Sequence, residues 1–285
     1  MQTKIPFFKM HGCGNDYIFL DFIHNPIYEN PSNLSRLLSN RHYGIGSDGL
    51  VIIEASNIAD FKMRMFNSDG SEGKMCGNAI RCLGKYVYET QLTSKDRLKI
   101  ETKSGIHSIF LHLNSNQKVA SVTVLLPCPS LSPSDIPMNF SKPACIYYPF
   151  SFQNKCYPLT ALSVGNPHAV FFASSLSTFP LKEIATSKSL LDLFAEGVNV
   201  SAAKIINKNH IALRVYERGS GETLACGTAS CAAVMACILT NKTNKKVLVT
   251  LPGGTLLVTY DKNKKSLFLT GNCVNVYQGF FYFPD

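Results

Sequence analysis

Residues 64–79 read RMFNSDGSEGKMCGNA, and residues 214–229 read RVYERGSGETLACGTA. A shift of 150 positions lays Arg64 on Arg214, Phe66 on Tyr216, Glu72 on Glu222, Cys76 on Cys226, Gly77 on Gly227 and Ala79 on Ala229. The correspondence continues outward with small slips: Gly14-Asn15 answers Gly165-Asn166, Gly46 answers Gly197, and Gly105 answers Gly254. A chain that repeats itself in this way is read first as a duplicated fold. In each copy a cysteine precedes a segment of helical character, 78–89 and 228–239, which predicts one thiol at the head of a helix in each half. The second of these helices is apolar nearly all round and is expected to be buried on every side.

Strands are predicted around both motifs. Residues 5–23 read as strand, glycine turn and strand, followed by a short helix over 32–39 capped by Ser32 or Asn33. Gly44 to Gly49 turns the chain into a buried strand at 50–53, and 62–66 alternates as a half-buried strand does. After the first helix, strands are expected at 98–102, 106–113 and 119–126. The second half repeats the plan with strands near 169–173, 211–216, 246–251, 255–260 and 266–270 and a helix over 187–195. Five prolines at 127, 129, 133, 137 and 143 forbid regular structure and mark a boundary between a lobe of residues 1–132 and one of 133–285.

Composition narrows the classes. With 285 residues, 45% hydrophobic and 16% charged, the chain is long enough to build a core without staples. The opening residues MQTKIPFFKMHG lack the apolar core of an export signal, and the longest apolar run is too short for a bilayer. A soluble cytoplasmic protein is expected, and its ten cysteines are then reduced thiols rather than a disulfide framework. No two stand at C-x-x-C spacing, so no metal is expected. The net charge of +9 comes from lysines scattered through loops, without a basic stripe interleaved with aromatics, and no nucleic-acid partner is predicted.

Two thiols at two helix heads suggest two lobes facing one substrate. Unpaired amides and the helix dipole favour a thiolate, so either thiol is expected to titrate nearer neutrality than a free cysteine. One thiolate and one thiol on opposite sides of a carbon can remove a proton and return one to the other face, which inverts a stereocentre. The amides of Gly77-Asn78 and Gly227-Thr228 would stabilise charge developing on an adjacent carboxylate. Glu72 and Glu222, repeated faithfully, read as carboxylates favoured near a helix head.

The motifs FKMHGCGND, GIGSDGL, FNSDGSE, MCGN, VGNPH, GVNV, RVYERGSGET and ACGT occur in an order and spacing that resembles the diaminopimelate epimerase family over essentially the whole chain. The resemblance implies an α+β fold of two pseudo-symmetric lobes, each a curved, mainly antiparallel sheet wrapped around a central helix, with the last strand able to return to the first lobe. It implies a cofactor-independent epimerase that interconverts LL- and meso-diaminopimelate, acting as a homodimer. By the same resemblance, Cys76 and Cys226 match the acid–base pair, with Glu217 and His168 beside the reacting centre. Asn15, Asn67, Asn166, Asn199 and Arg218 match residues holding the distal amino-acid end, and Gly77, Asn78, Gly227 and Thr228 match the anion cradle. One guanidinium among amides suits capture of a second zwitterionic end.

The sequence departs from the family at Ala79 and Ala229, where many members have glycine, and at Gly49, where some have glutamine. Two other readings remain at this level: a racemase of another amino acid such as glutamate, and a two-lobed amino-acid-binding protein without turnover.

Overall fold

The structure, a computed structural model, describes residues 4–27 and 29–283. Contacts divide the chain into two compact units, Met1–Leu125 with Thr270–Asp285, and Leu126–Leu269.

The first unit contains β1 (Lys4–Gly12), β2 (Asn15–Asp21), α1 (Pro31–Ser39), β3 (Gly49–Glu54), β4 (Phe61–Asn67), β5 (Glu72–Gly73), α2 (Gly77–Glu89), β6 (Arg97–Thr102), β7 (Gly105–Leu113) and most of β8 (Val119–Pro127). β1 pairs antiparallel with β2, β2 parallel with β3, β3 antiparallel with β4, and β4 antiparallel with β5 and parallel with β6. Antiparallel β7 and β8 complete the run.

The second unit repeats the sequence of elements. Strands β9 (Tyr148–Phe152), β10 (Lys155–Ser163) and β11 (Pro167–Phe172) precede helices α3 (Leu181–Ala185) and α4 (Lys188–Leu193). Then come β12 (Asn199–Asn207), β13 (His210–Glu217), β14 (Gly221–Thr223), α5 (Gly227–Leu239), β15 (Lys246–Leu251), β16 (Gly254–Asp261) and most of β17 (Ser266–Gly271), while the last strand, β18 (Val274–Tyr282), belongs to the first unit. The pairings match one for one: β10 antiparallel with β11, β11 parallel with β12, β12 antiparallel with β13, β13 antiparallel with β14 and parallel with β15, and β15 antiparallel with β16.

Each repeat ends in a strand that pairs with the first strand of the other repeat. β9 adds antiparallel to β10, and β18 adds antiparallel to β1. This exchange closes the duplication and returns the C-terminal strand to the first unit.

The local code explains the elements. Strands β6 and β15 alternate exposed and buried residues in the same phase, as expected where one face meets the core. In contrast, Leu50 to Ile53 of β3 are all buried, because that strand lies inside the sheet between β2 and β4. Helix α1 begins one residue earlier than the sequence reading placed it. Its cap is Asn30, whose side chain accepts from Ser32 N and Asn33 N, with Pro31 at the first helical position, where its missing N–H costs nothing.

Each sheet packs around its central helix. α2 lies against β1, β2, β4 and β7, and α5 against β10 to β13, β15 and β16. In α5 the buried residues from Ala229 to Cys237 are alanine, serine, cysteine, valine and methionine, small enough for strands to approach from several sides. By contrast α2 keeps a polar flank, where Lys85 Nζ meets Glu89 at 2.8 Å.

The repeated glutamates have a different cause from the one the sequence suggested. Arg64 Nε lies 2.8 Å from Glu72 Oε1, and Arg214 Nε lies 2.7 Å from Glu222 Oε1. Each pair stitches a two-strand turn, β4–β5 or β13–β14, just before a helix-head cysteine. The glutamates therefore fix the approach to the helices through arginine rather than through the helix dipole.

Candidate active site

Cys76 and Cys226 occupy the N-cap positions of α2 and α5 with nearly the same extended backbone, φ −128° and ψ 123° against φ −134° and ψ 119°. Neither side chain caps its own helix, which leaves both sulfurs available to other partners.

In the first unit, the half-buried Cys76 donates from Sγ to Asn15 Oδ1 at 3.5 Å. The same oxygen accepts from Asn78 Nδ2 at 3.1 Å, and Asn15 Nδ2 donates to Asp48 Oδ2 at 2.8 Å. Thus Asn15, Cys76, Gly77 and Asn78 are gathered around the head of α2. Asn67 stands apart, at the end of β4 opposite Gly49, with its side-chain amide donating to Ser71 Oγ at 2.9 Å. Asp48 and Asp16 are matched by two cations: Arg41 reaches both at 3.0 Å, and Lys9 pairs with Asp16 while donating to Gly46 O.

Two residues absent from the sequence-based set belong to this cluster. Tyr17, buried on β2, hydrogen-bonds to Cys76 and Asn15. Burial, followed by the charge and hydrogen bond of Cys76, holds its phenol well above the ordinary range, so the hydroxyl keeps its proton. A β-carbon at Gly49 would lie 2.2 Å from Phe66 O and 3.0 Å from a Tyr17 ring carbon, so strand and ring already fill the space a side chain would need. Arg81, fully buried on α2, donates to Gly77 O at 3.0 Å and to Asn78 Oδ1 at 2.7 Å.

The repeat itself held signals for both. Aligning Gly14-Asn15-Asp16-Tyr17 on Gly165-Asn166-Pro167-His168 sets Tyr17 opposite His168, and the structure pairs Tyr17 with Gly49 and His168 with Asn199 at equivalent strand positions. Arg81 falls on Cys231, a break in an otherwise matched pair of helices.

In the second unit, Cys226 is buried, with Thr228 Oγ1 at 3.5 Å, and hydrogen-bonds to Glu217. Burial first, and then the Glu217 carboxylate, push this thiol well above its ordinary value. The helix-head lowering expected from sequence is outweighed here by desolvation. Glu217 is fixed in turn by Thr223 Oγ1, which donates to Oε1 at 2.6 Å.

His168 has no exposed surface; its Nε2 lies 2.9 Å from Asn166 Oδ1, and its Nδ1 has no hydrogen-bond partner among the described residues. Burial, with Arg218 adding to it, drives its pKa down to about 3, so the imidazole is neutral at physiological pH. Asn199 donates from Nδ2 to Pro167 O at 3.0 Å and accepts the Arg218 N–H at 3.0 Å. Arg218 Nη1 donates to Glu196 O at 2.9 Å. Gly227 opens α5, and the methyls of Ala79 and Ala229 are both completely buried, packed into the core behind the helix heads.

Each helix head can hold an anion; the first offers a sulfur with a phenol and an amide, and the second a sulfur with a carboxylate and a hydroxyl. Among the described residues, no group of three or more histidine, cysteine, aspartate or glutamate side chains is placed to hold a metal ion, and no helix is long and apolar enough to cross a membrane.

Fold and site together define a duplicated α+β protein with a cysteine at the head of the buried helix of each repeat. That fold is shared with a PhzF family phenazine biosynthesis protein from Bacillus anthracis, at a TM-score of 0.72 and 19% identity over 98% of this chain and 99% of that one. A hydroxyproline epimerase from Agrobacterium vitis, solved with bound trans-4-hydroxy-L-proline, matches at a TM-score of 0.69 and 12% identity over 100% and 95%. The sequence resolves the family: the diaminopimelate epimerase model matches residues 7–124 and 160–276, and the diaminopimelate epimerase of Methanococcus maripaludis strain S2 is 44% identical over 96% of this chain and 98% of its own. The chain belongs to the diaminopimelate epimerase family.

Proposed function

We propose that this protein is a diaminopimelate epimerase, an isomerase that interconverts LL- and meso-2,6-diaminopimelate by inversion at one α-carbon. Membership of that family, in a chain that keeps a cysteine at both helix heads, carries the reading. One sulfur takes the α-proton as thiolate, and the other returns a proton as thiol to the opposite face. The amides at Gly77-Asn78 and Gly227-Thr228 stabilise the carboxylate that receives the carbanion's charge. Glu217 and the neutral His168 lie beside the reacting centre, and Asn15, Asn67, Asn166, Asn199 and Arg218 hold the distal amino-acid end. No cofactor enters this chemistry.

The reaction serves lysine and peptidoglycan synthesis in the cytoplasm. A homodimer accompanies this reading: Val274, Val276, Tyr277, Phe280 and Tyr282 of β18 are 40–55% exposed, an apolar row that a second copy would cover. Sedimentation should give a dimer, and Val276→Glu with Phe280→Glu should give a monomer.

Proton NMR of LL-diaminopimelate in D2O, with glutamate alongside and no added cofactor, tests the activity. α-Hydrogen exchange with inversion in the wild type, lost in both Cys76→Ala and Cys226→Ala, supports the reading. Absence of exchange with diaminopimelate overturns it.

A further inference from the structure

An asparagine amide has two ends of nearly the same shape, and its neighbours decide which end faces which way. Asn15 Nδ2 lies 2.8 Å from Asp48 Oδ2. A carboxylate only accepts hydrogen bonds, so the NH2 end of Asn15 faces Asp48 and its oxygen faces the head of α2. There Oδ1 accepts from Asn78 Nδ2 at 3.1 Å and from Cys76 Sγ at 3.5 Å. Asn78 is fixed in the same sense from its far side, where Arg81 Nη2, which only donates, meets its Oδ1 at 2.7 Å. The chain Arg81–Asn78–Asn15–Asp48 therefore runs one way, from a guanidinium to a carboxylate, and Cys76 meets it at an oxygen.

Asp48 is itself anchored. Its Oδ2 also accepts the Asp16 N–H at 3.1 Å, its Oδ1 meets Arg41 Nη2 at 3.0 Å, and its own N–H bonds to Asp16 O at 2.9 Å. The carboxylate is thus tied to β2 beside Asn15, at the entry to β3. The second unit is built differently. Gly49 pairs with Tyr17 as Asn199 pairs with His168, so Val198 holds the place of Asp48, and the repeat sets Cys231 in that of Arg81. There the buried Cys226 hydrogen-bonds to the Glu217 carboxylate itself.

A hydrogen bond from Sγ to an oxygen exists only while the sulfur keeps its proton, so an acceptor fixed beside it favours the thiol. Tyr17 also reaches Cys76 from β2, and Cys82 from α2. Asp16 is matched by Lys9 and Arg41. The charge of Arg81 falls on Cys13, Cys82 and Cys273, and its link to Cys76 is directional, through Asn78.

We propose that Asp48 is a positioning residue: by holding the Asn15 amide with its oxygen towards Cys76, it aims the S–H of that cysteine and favours its thiol form. The inference rests on the acid–base reading of Cys76. A carboxylate then stands behind the acceptor of each sulfur, directly at Cys226 and at one remove at Cys76.

The test is pulsed alkylation of the full-length protein with iodoacetamide across roughly pH 5 to 10, followed by mass spectrometry of the Cys76 and Cys226 peptides. Asn15→Ala removes the acceptor and should lower the Cys76 midpoint by about 0.7 of a pH unit. Asp48→Ala, which frees the amide, should lower it by about half a unit, and Asn15→Ala with Asp48→Ala should match Asn15→Ala alone. Asp48→Asn keeps an oxygen for Asn15 Nδ2 and should restore the wild-type midpoint. The Cys226 midpoint should stay fixed throughout. Asp48→Ser serves if the alanine variant does not fold. An unmoved Cys76 midpoint in the folded variant, shifts that simply add in the double variant, or an Asp48→Asn midpoint as low as that of Asp48→Ala overturns the proposal. Alkylation needs no turnover, so this result is independent of the exchange experiment that decides the epimerase reading.

Discussion

Asn78 Nδ2 donates to Asn15 Oδ1 at 3.1 Å, tying the head of α2 to the first residue of β2 through the oxygen that also accepts from Cys76 Sγ. Asn15→Ala leaves a buried amide donor and a thiol without their shared acceptor. A loss of about 1 to 3 kcal/mol is expected, read as a roughly 5- to 150-fold fall in kcat/KM. Unchanged kinetics would detach Asn15 from the reacting centre.

Tyr17→Phe removes only the hydroxyl that meets Cys76 and Asn15. The ring still packs beside Gly49, so the fold should keep its melting temperature. One hydrogen bond to the sulfur is worth about 1 kcal/mol, and kcat should fall roughly fivefold with little change in KM. A matching rise in KM with constant kcat would instead assign Tyr17 to substrate binding.

His168 contributes to the acid limb of stability. Its pKa is depressed from 6.5 to about 3 by burial, so the unfolded chain binds a proton that the folded protein refuses. Stability is complete above pH 6.5 and is lost as pH falls towards about 3, by about 1.4 kcal/mol per pH unit. Urea titrations should show this slope in the wild type and a shallower one in His168→Asn. Parallel slopes would rule the histidine out as the cause.

Buried thiols set the alkaline limb. Burial pushes Cys145 up to about 11 and Cys237 up to about 12, and raises Cys226 and Cys82 as well. Their folded values lie above the unfolded value of 9.0, so stability is intact below that pH and declines as pH rises through the folded values. Each contributes a slope of about 1.4 kcal/mol per pH unit while it stays protonated in the fold and ionised outside it. Cys237→Ala should flatten the decline above pH 9 in urea titrations; an unaltered slope would contradict this assignment.

The repeated motif located much of the molecule because helix heads and strand alternation are local properties. Asn-Ala-Ile and Thr-Ala-Ser following Cys-Gly, and the in-phase alternation of β6 and β15, are legible within a few residues. Short elements were not. β5, β14 and α3 have two, three and five residues, too few to show a period, and β14 takes shape only in its pairing with β13. At α1, Ser32, Asn33 and Asn30 are all capable caps, and the choice fell to Asn30 once Pro31 fixed the first turn.

The amino-acid sequence by itself determined the duplication, the two helix-head cysteines and the family, because these are written in residue identity and spacing. Only the tertiary structure decided the electrostatics of each half. Helix position predicted similar thiols, yet Cys226 is buried against Glu217 while Cys76 lies half-buried against Asn15 and Tyr17. Desolvation and the company of distant residues outweigh the few amides of a helix end, and neither is a property of any short stretch of chain.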